Sequence, residues 1–220
     1  MRYLILMVFV ALTASCAQKP LTPLQEAREV YKSGDYATAF ARYKPLAEAG
    51  DSDAQFYMGY MYNMGLGVSK NNFDAVVWYC RSAVGGDRAA ISNLGYMRFN
   101  GLGISRDKRK ALMWSRMAAA LDDARGQYRL GQDYMRGEYV QKDLEQAYLW
   151  LNLAHFHSFK YDRDAALFLD DIEQQLTPDQ IEAGDKAVKQ WKASTFDAAM
   201  ADRIRASDAC SATLRAYPSL

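Results

Sequence analysis

A spacing of 36 residues recurs without gaps through the middle of this 220-residue chain. Five columns keep that spacing: Gly59, Gly95 and Gly131; Gly65, Gly101 and Gly137; Gly67 and Gly103, with Tyr139 in third place; Ala75, Ala111 and Ala147; and Trp78, Trp114 and Trp150. A fixed period of roughly 20–50 residues marks a repeat protein, in which each unit buries its apolar face by stacking on the next. The chain is therefore predicted to be an array of similar units.

Each unit is predicted to hold two antiparallel helices. The segments GLGV at 65–68 and GLGI at 101–104 interrupt helix-length stretches, and a glycine there suits the left-handed position just beyond a helix end. The next helix is predicted to begin at residues whose side chains can cap its first amide groups: Asn71, Asp107 and Asp143. A short glycine loop therefore joins the two helices of each unit.

Close packing between the helices is predicted from the residues that face the helix crossing. In the second helix, Ala75, Trp78 and Tyr79 fall at i, i+3 and i+4 and so share one face. In the first helix, a glycine recurs in the column of Gly59, although an interior glycine costs about 1 kcal/mol relative to alanine. The recurrence of that glycine indicates a packing requirement.

These features together resemble Sel1-like repeats, a subclass of the tetratricopeptide fold. The resemblance rests on the paired Leu-Gly or Met-Gly, the G-x-G-[VI] loop, the capping aspartate and the Ala-x-x-Trp, and it covers about residues 52–157. It implies an all-α fold, a right-handed α-solenoid of antiparallel helix pairs. It also implies a non-enzymatic scaffold that binds a protein or peptide partner and needs no cofactor.

Shorter segments flank the repeats. Residues 22–51 resemble a tetratricopeptide-like first helix pair, and residues 158–193 a closing pair with helices at about 160–175 and 178–192. Thr177 and Pro178 are the predicted cap and first residue of the last of these helices. Residues 194–220 are expected to form a weakly structured C-terminal tail with one short helix at about 196–205.

The first sixteen residues, MRYLILMVFVALTASC, are predicted to be a signal peptide. One positive charge precedes an apolar run that is too short to span a bilayer as a stable helix; a buried core helix is the alternative. The segment Leu12 to Cys16 resembles a bacterial lipobox, which implies lipidation of Cys16 and, with Ala17 next, a periplasmic protein anchored in the outer membrane by lipid alone. Ordinary cleavage after Ala17 is the competing possibility.

Signal processing would leave Cys80 and Cys210 in an oxidising compartment, where disulfides form. Sequence alone does not bring their Cα atoms within bridging distance. Two unpaired thiols are the favoured prediction, and pairing is the alternative.

Charge and motifs argue against several functional classes. The chain has 27 lysines and arginines against 26 aspartates and glutamates, so it lacks the basic excess that nucleic acid requires. His155 and His157 are two apart on a helix and cannot chelate one metal ion. A Ser-x-x-Lys motif occurs at Ser105 and Lys108 without its companion motifs; a cell-wall-active enzyme of β-lactamase type, or a peptidoglycan-fragment binder, is the alternative function.

The resemblance to tetratricopeptide arrays also implies a binding face. In such arrays the first helix of each pair lines a concave surface, and positions around the small crossing residue face it. The aromatic members of that set are the candidate partner-binding residues: Phe56, Tyr60, Tyr96, Phe99, Tyr128 and Phe168. Asn63, Ser92, Gln132 and Met135 are the other members. Packing of these rings between repeats is the alternative interpretation.

Overall fold

The computed structural model describes residues 20–157 and 159–216, and in that part of the chain it contains twelve α-helices and no β-strand. The helices are α1 (Pro23–Lys32), α2 (Tyr36–Glu48), α3 (Ser52–Met64), α4 (Asn72–Val84), α5 (Arg88–Asn100), α6 (Lys108–Ala120), α7 (Ala124–Arg136), α8 (Leu144–His157), α9 (Phe159–Glu173), α10 (Pro178–Gln190), α11 (Ala198–Ala206) and α12 (Asp208–Ala216).

Consecutive helices from α1 to α9 pack against one another in chain order. This arrangement confirms the predicted α-solenoid. Alanines and large apolar side chains alternate in its core, where Ala75, Ala111 and Ala147 are each at most 4% exposed. The small residues allow close approach of the helices, and the aromatic and aliphatic side chains fill the space between them.

Aspartate or asparagine caps mark the starts of the helices in the three repeats. Asn71, Asp107 and Asp143 accept hydrogen bonds from backbone amides of the first turns of α4, α6 and α8, as predicted. In α3, α5 and α7 the caps are aspartates 36 apart: Asp51, Asp87 and Asp123. Each cap satisfies an amide that has no partner within the helix.

Glycines end the first helix of each unit as predicted. Gly65, Gly101 and Gly137 are left-handed C-caps with φ of 74°, 75° and 69°. Two residues further on, Gly67 and Gly103 also have positive φ, and a Cβ on either one would overlap the backbone of the preceding unit. The loop glycines therefore serve both the turn and the stacking of one unit on the next.

The glycines inside α3, α5 and α7 lie at helix crossings, which confirms the predicted packing requirement. A Cβ added to Gly59 would lie 2.7 Å from Cδ1 of Tyr79, and one added to Gly95 would lie 3.0 Å from Cβ of Trp114. Alanine at either position would force neighbouring atoms to shift, and the shift would be larger at Gly59, where the contact is shorter.

The C-terminal segment differs from the expected weakly structured tail. It contains two helices, α11 and α12, which both pack on α4 and bury Met200, Ile204 and Ala209 in the same cluster as Ala83 and Trp114. The segment is short and many of its apolar residues are alanines, so its stability comes from contacts with distant residues that local sequence patterns do not reveal.

A disulfide joins Cys80 on α4 to Cys210 on α12, so the prediction of two unpaired thiols is wrong. The two Cα atoms are 5.4 Å apart although the residues are separated by 130 positions in sequence. The return of the chain across the repeats creates this proximity. Trp191 packs edge-on against Trp150 at 4.9 Å between ring centroids, and the amide of Ser194 donates to the carbonyl of Ala120, so residues 191–194 lead the chain back towards α4.

The predicted signal peptide, with Cys16, lies outside the described residues. Within residues 20–157 and 159–216, every helix is too short or too polar to cross a bilayer.

Candidate functional site

A groove of about 380 Å³ opens on one side of the solenoid. Most of its lining residues belong to α3, α5 and α7, which are the first helices of three successive units. The 36-residue period places equivalent positions of these helices side by side. The groove is therefore a product of the repeat, and its wall is formed by the faces that the tetratricopeptide resemblance implied.

Four of the six predicted aromatic residues meet in this groove: Tyr60, Tyr96, Phe99 and Tyr128. Tyr96 lies at the centre of the row, on the middle helix, and is 52% exposed. Large, exposed aromatic rings lose little conformational entropy when a partner covers them, and they are enriched at the centres of binding interfaces. Such rings can provide apolar anchors for a ligand.

The other two predicted residues take part in packing. Phe56 is partly buried against the core, and its ring centroid lies 5.5 Å from Tyr57 and 5.9 Å from Tyr79. Phe168 of α9 lies 6.1 Å from Tyr128 and packs against the core formed by α8 and α9. Neither ring is among the groove-lining residues, although each supports a tyrosine that is.

Two polar residues that line the groove are largely buried. Ser92 of α5 is 6% exposed and Gln132 of α7 is 9% exposed, and both line the groove. A hydroxyl and an amide held in this way can therefore donate to and accept from a ligand or solvent that enters the groove.

Two arginines that the sequence interpretation missed also line the groove: Arg125 and Arg129 of α7. The guanidinium carbon of Arg129 lies 3.4 Å from the ring centroid of Phe99, and its Nε lies 3.4 Å from a carboxylate oxygen of Asp133. Burial lowers the pKa of Arg129 and raises the pKa of Asp133. These arginines do not belong to a repeated column, because the equivalent positions one unit earlier are Ala89 and Asn93.

The Ser-x-x-Lys motif does not form a reactive pair. The backbone oxygen and Oγ of Ser105 each accept a 2.9 Å hydrogen bond from Nη1 of Arg98. The Nζ of Lys108 instead lies 4.8 Å from the ring centroid of Phe99 and 5.4 Å from that of Tyr139. Ser105 therefore fixes the loop after α5 to a buried arginine.

No group of three potential metal ligands occurs among the described residues. His155 lies against the ring of Phe156, with 5.4 Å between the centroids, and the side chain of His157 lies outside the described part of the chain. The groove lining offers aromatic rings, amides, hydroxyls and guanidinium groups for contacts with a ligand.

Comparison with known proteins identifies the repeat. The family model described as the Sel1 repeat matches residues 52–87, 88–123 and 124–154. The crystal structure of a Sel1 repeat protein from Oxalobacter formigenes aligns at 32% sequence identity and a TM-score of 0.60, over 68% of this chain and 61% of that one. A protective antigen present in uropathogenic Escherichia coli strains, displaying an SLR fold, aligns at 22% identity and a TM-score of 0.46 over 88% of this chain and 48% of that one.

This chain thus spans about three fifths of the length of the Oxalobacter protein and about half of the length of the Escherichia coli antigen. No curated protein matches it by sequence.

Proposed function

Because this chain contains three Sel1 repeats and belongs to the Sel1 repeat proteins, we propose that it is a non-enzymatic scaffold of the bacterial cell envelope that binds a segment of a partner protein in the groove. The observation that carries the proposal is the row of Tyr60, Tyr96 and Tyr128 above a polar floor. Apolar anchors combined with a few fixed polar groups are the usual composition of a recognition site.

The position of the groove across three units favours a peptide segment as the occupant. Three first helices contribute to it in succession, so its long direction follows the array. An extended or helical segment can lie along such a surface and place successive side chains against successive units. The exposed ring of Tyr96 would contact the middle of that segment.

The proposed location in the envelope is supported by the disulfide between Cys80 and Cys210. Structural disulfides persist in secreted and periplasmic proteins, whereas cytosolic thiols are kept reduced. The lipobox-like segment ending at Cys16 agrees with the same location and adds a lipid anchor. We propose lipidation of Cys16, with the repeats displayed in the periplasm from the outer membrane.

Crosslinking from the groove tests the scaffold proposal. A photoreactive amino acid placed at Tyr96 in the cells that produce the protein is expected to capture one partner, which is then purified and measured for binding. The matched control carries the same amino acid at Met113, which is 39% exposed and outside the groove. Equal capture of the same proteins from both positions, or unchanged affinity of the Tyr60→Ala/Tyr96→Ala variant for the purified partner, would refute groove binding.

Mass spectrometry of the mature protein tests the proposed anchor. Lipidation predicts an amino-terminal cysteine with added acyl mass and recovery of the protein with membranes. The Cys16→Ser variant should lose both properties. An unmodified mature chain beginning at Gln18 would show that ordinary signal-peptidase cleavage occurs instead.

A nitrocefin assay tests the non-enzymatic part of the proposal. The purified protein is expected to show no hydrolysis above that of heat-denatured protein, because Ser105 and Lys108 are held by different partners. If the parent hydrolyses nitrocefin and the Ser105→Ala variant does not, the protein is an enzyme and the non-enzymatic proposal is wrong.

A further inference from the structure

We propose that the outer face of α6, formed by Arg109, Met113 and Arg116, docks an acidic helix of a partner protein. The carboxylates of that helix bind the two arginines, and an apolar side chain between them covers Met113. Ala111 and Ser115 of the same helix line the groove, and at about 3.6 residues per turn they point roughly half a turn away from the outer face. The inference therefore concerns a second surface and does not rest on the proposed function of the groove.

The outer face of α6 is positively charged and exposed. Arg109 and Arg116 are both exposed and make neither a hydrogen bond nor an ion pair within the described part of the chain, and Met113 between them is 39% exposed. The helix contains four basic residues and no acidic residue. In α4, the equivalent helix one unit earlier, Asp74 balances Arg81. The excess of positive charge is therefore particular to α6 and not a property of the repeat.

The same face of α4 already accepts helices. One period before Arg116 stands Cys80, which is bonded to Cys210 of α12. One period before Met113 stands Val77, which is 2% exposed, whereas Met113 is 39% exposed. Both α11 and α12 pack on α4. Because the repeat gives α6 the same place in its own unit, the outer face of α6 is an open copy of a position on which helices dock in this protein.

The C-terminal helices also show which charge suits α6. The carboxylate of Asp208, at the start of α12, accepts hydrogen bonds from Nζ of Lys110 at 2.7 Å and from Nη2 of Arg98 at 2.6 Å. A carboxylate of a docked helix thus already binds a base of α6. Arg109 and Arg116 offer two further guanidinium groups about 10 Å apart along the helix, and each can bind a carboxylate through paired N–H donors. The matching partner is a helix with two acidic residues seven positions apart.

The path of the C-terminal segment builds a wall beside this face. The amide of Ser194 donates to the carbonyl of Ala120 at the end of α6, and Asp208 binds Lys110 near the beginning of α6. Between these two points lies α11, whose nine residues span about 14 Å, close to the roughly 15 Å between Lys110 and Ala120. The helix α11 therefore runs antiparallel beside α6 while it packs on α4. A helix laid on α6 would contact this wall as well as the arginines.

Other occupants fit this surface less well. A second copy of the chain would place arginine against arginine, because an antiparallel pair of α6 helices sets Arg109 opposite Arg116. A flat membrane would meet α11 and α12, which stand on the adjacent α4, before it reached α6. Complementary charge at an interface steers encounter and rejects like-charged partners, so an acidic helix is the occupant that the surface favours.

Methionine methyl resonances in NMR spectra test the inference on the intact protein. Protein with isotope-labelled methionine methyl groups is titrated with a synthetic alanine-rich helix that carries two glutamates seven positions apart and a leucine between them. The methyl signal of Met113, assigned with Met113→Leu, is expected to shift saturably, whereas that of Met64, which lines the groove, should not move. A peptide with glutamines in place of the glutamates should bind about fivefold more weakly, the scale of two exposed ion pairs, and added salt should narrow this difference.

Surface variants locate the source of the preference. Arg109→Gln combined with Arg116→Gln is expected to reduce the preference for the glutamate peptide to about twofold or less. The matched control is Lys186→Gln combined with Lys189→Gln, which removes the same charge from exposed positions of α10 and should leave the preference unchanged. Tyr96→Ala in the groove should also leave it unchanged. Thermal melts of every variant verify that the fold is intact.

Three results would overturn the inference. The first is the absence of a saturable shift at Met113, and the second is equal binding of the glutamate and glutamine peptides or an unchanged preference in the arginine variant. The third is sedimentation of the Cys16→Ser chain, which cannot carry an acyl anchor, with phosphatidylglycerol vesicles in a manner that the arginine variant abolishes; this would assign the face to a lipid surface. None of these results bears on the groove, which the crosslink from Tyr96 tests separately.

Discussion

Nη2 of the buried Arg98 on α5 donates a 2.6 Å hydrogen bond to Oδ1 of Asp208, the first residue of α12. Nζ of Lys110 donates to the other carboxylate oxygen at 2.7 Å. Burial alone would raise the pKa of Asp208, but the hydrogen bond from Lys110 and the charges of Arg98 and Lys110 outweigh it, so this pKa lies below its usual value of 3.8. One carboxylate therefore holds the C-terminal helix on two helices of the array.

Asp208→Asn is expected to lower the free energy of unfolding at pH 7. A carboxyl whose pKa is depressed in the folded state stabilises the fold above its unfolded pKa, and the stabilisation is lost as pH falls through the folded pKa. The difference between parent and variant should therefore shrink below pH ~4. Urea-induced unfolding of both proteins at pH 7, 5 and 3 measures this difference in the free energy of unfolding. Asp202→Asn, whose carboxylate pairs along its own helix with Arg205, should change little at any pH. A pH-independent effect of Asp208→Asn would contradict the assignment.

Removal of the disulfide with Cys80→Ala and Cys210→Ala is expected to cost about 2–4 kcal/mol, mainly because the unfolded chain gains conformational freedom. Both cysteines are fully buried, so a reductant should act on the parent chiefly after unfolding. Reductant during the denaturant titration should move the parent midpoint to that of the double variant and leave the variant itself unchanged. Equal midpoints for both proteins without reductant would contradict the prediction.

Gly67→Ala is expected to destabilise the protein more than Gly34→Ala does. Both glycines have positive φ, at 68° and 88°, so both variants carry the cost of a left-handed alanine, about 1–2 kcal/mol. At Gly67 the new Cβ would also overlap the backbone of Tyr36 in the preceding unit, whereas at Gly34 it meets nothing within 4 Å. The excess measured in thermal melts, expected to be at least ~1 kcal/mol, reports the stacking of units. Equal melting temperatures for the two variants would show that the close approach of Gly67 to Tyr36 does not require a glycine.

Trp114→Ala should cost about 3–5 kcal/mol of stability, because the indole is fully buried between α5 and α6. Tyr96→Ala should change stability little, because its ring is 52% exposed, but with Tyr60→Ala it should lower partner affinity by about 2 kcal/mol. Calorimetry of unfolding and of binding separates the two effects. A tyrosine variant that melts as early as the tryptophan variant would identify the rings as packing residues.

The 36-residue period predicted most of the architecture because helix capping, loop glycines and small crossing residues all indicated the same helix boundaries. Chemistry that acts within one unit explains the helix caps at Asn71 and Asp107 and the helix ends at Gly65 and Gly101. It also explains the close contacts at the crossing glycines. The loop after α7 departs from the repeated pattern. Tyr139 stands where the earlier loops have a glycine, and its φ is not positive.

The C-terminal helices and the charged part of the groove could not be predicted in this way. Cys80 and Cys210 meet only because the chain returns across the array, and no periodic pattern encodes a contact made once. Arg129 similarly acquires its orientation from Phe99 of the preceding unit and Asp133 of its own helix. The sequence revealed the aromatic columns, whereas the neighbours that fix a unique side chain became visible only in three dimensions.

The bond between Cys80 and Cys210 also determines how the protein would carry a mechanical load. Tension applied between residues 20 and 216 passes from α4 directly into α12, so α5 to α11 bear none of it. The groove straddles this division, because Tyr60 lies on the stretched side and Tyr96 and Arg129 on the shielded side. In single-molecule pulling, the 130 positions between the cysteines should contribute their roughly 450 Å of contour length only after a reductant is added. A molecule under strain would then lose one wall of the groove while the other two stay folded.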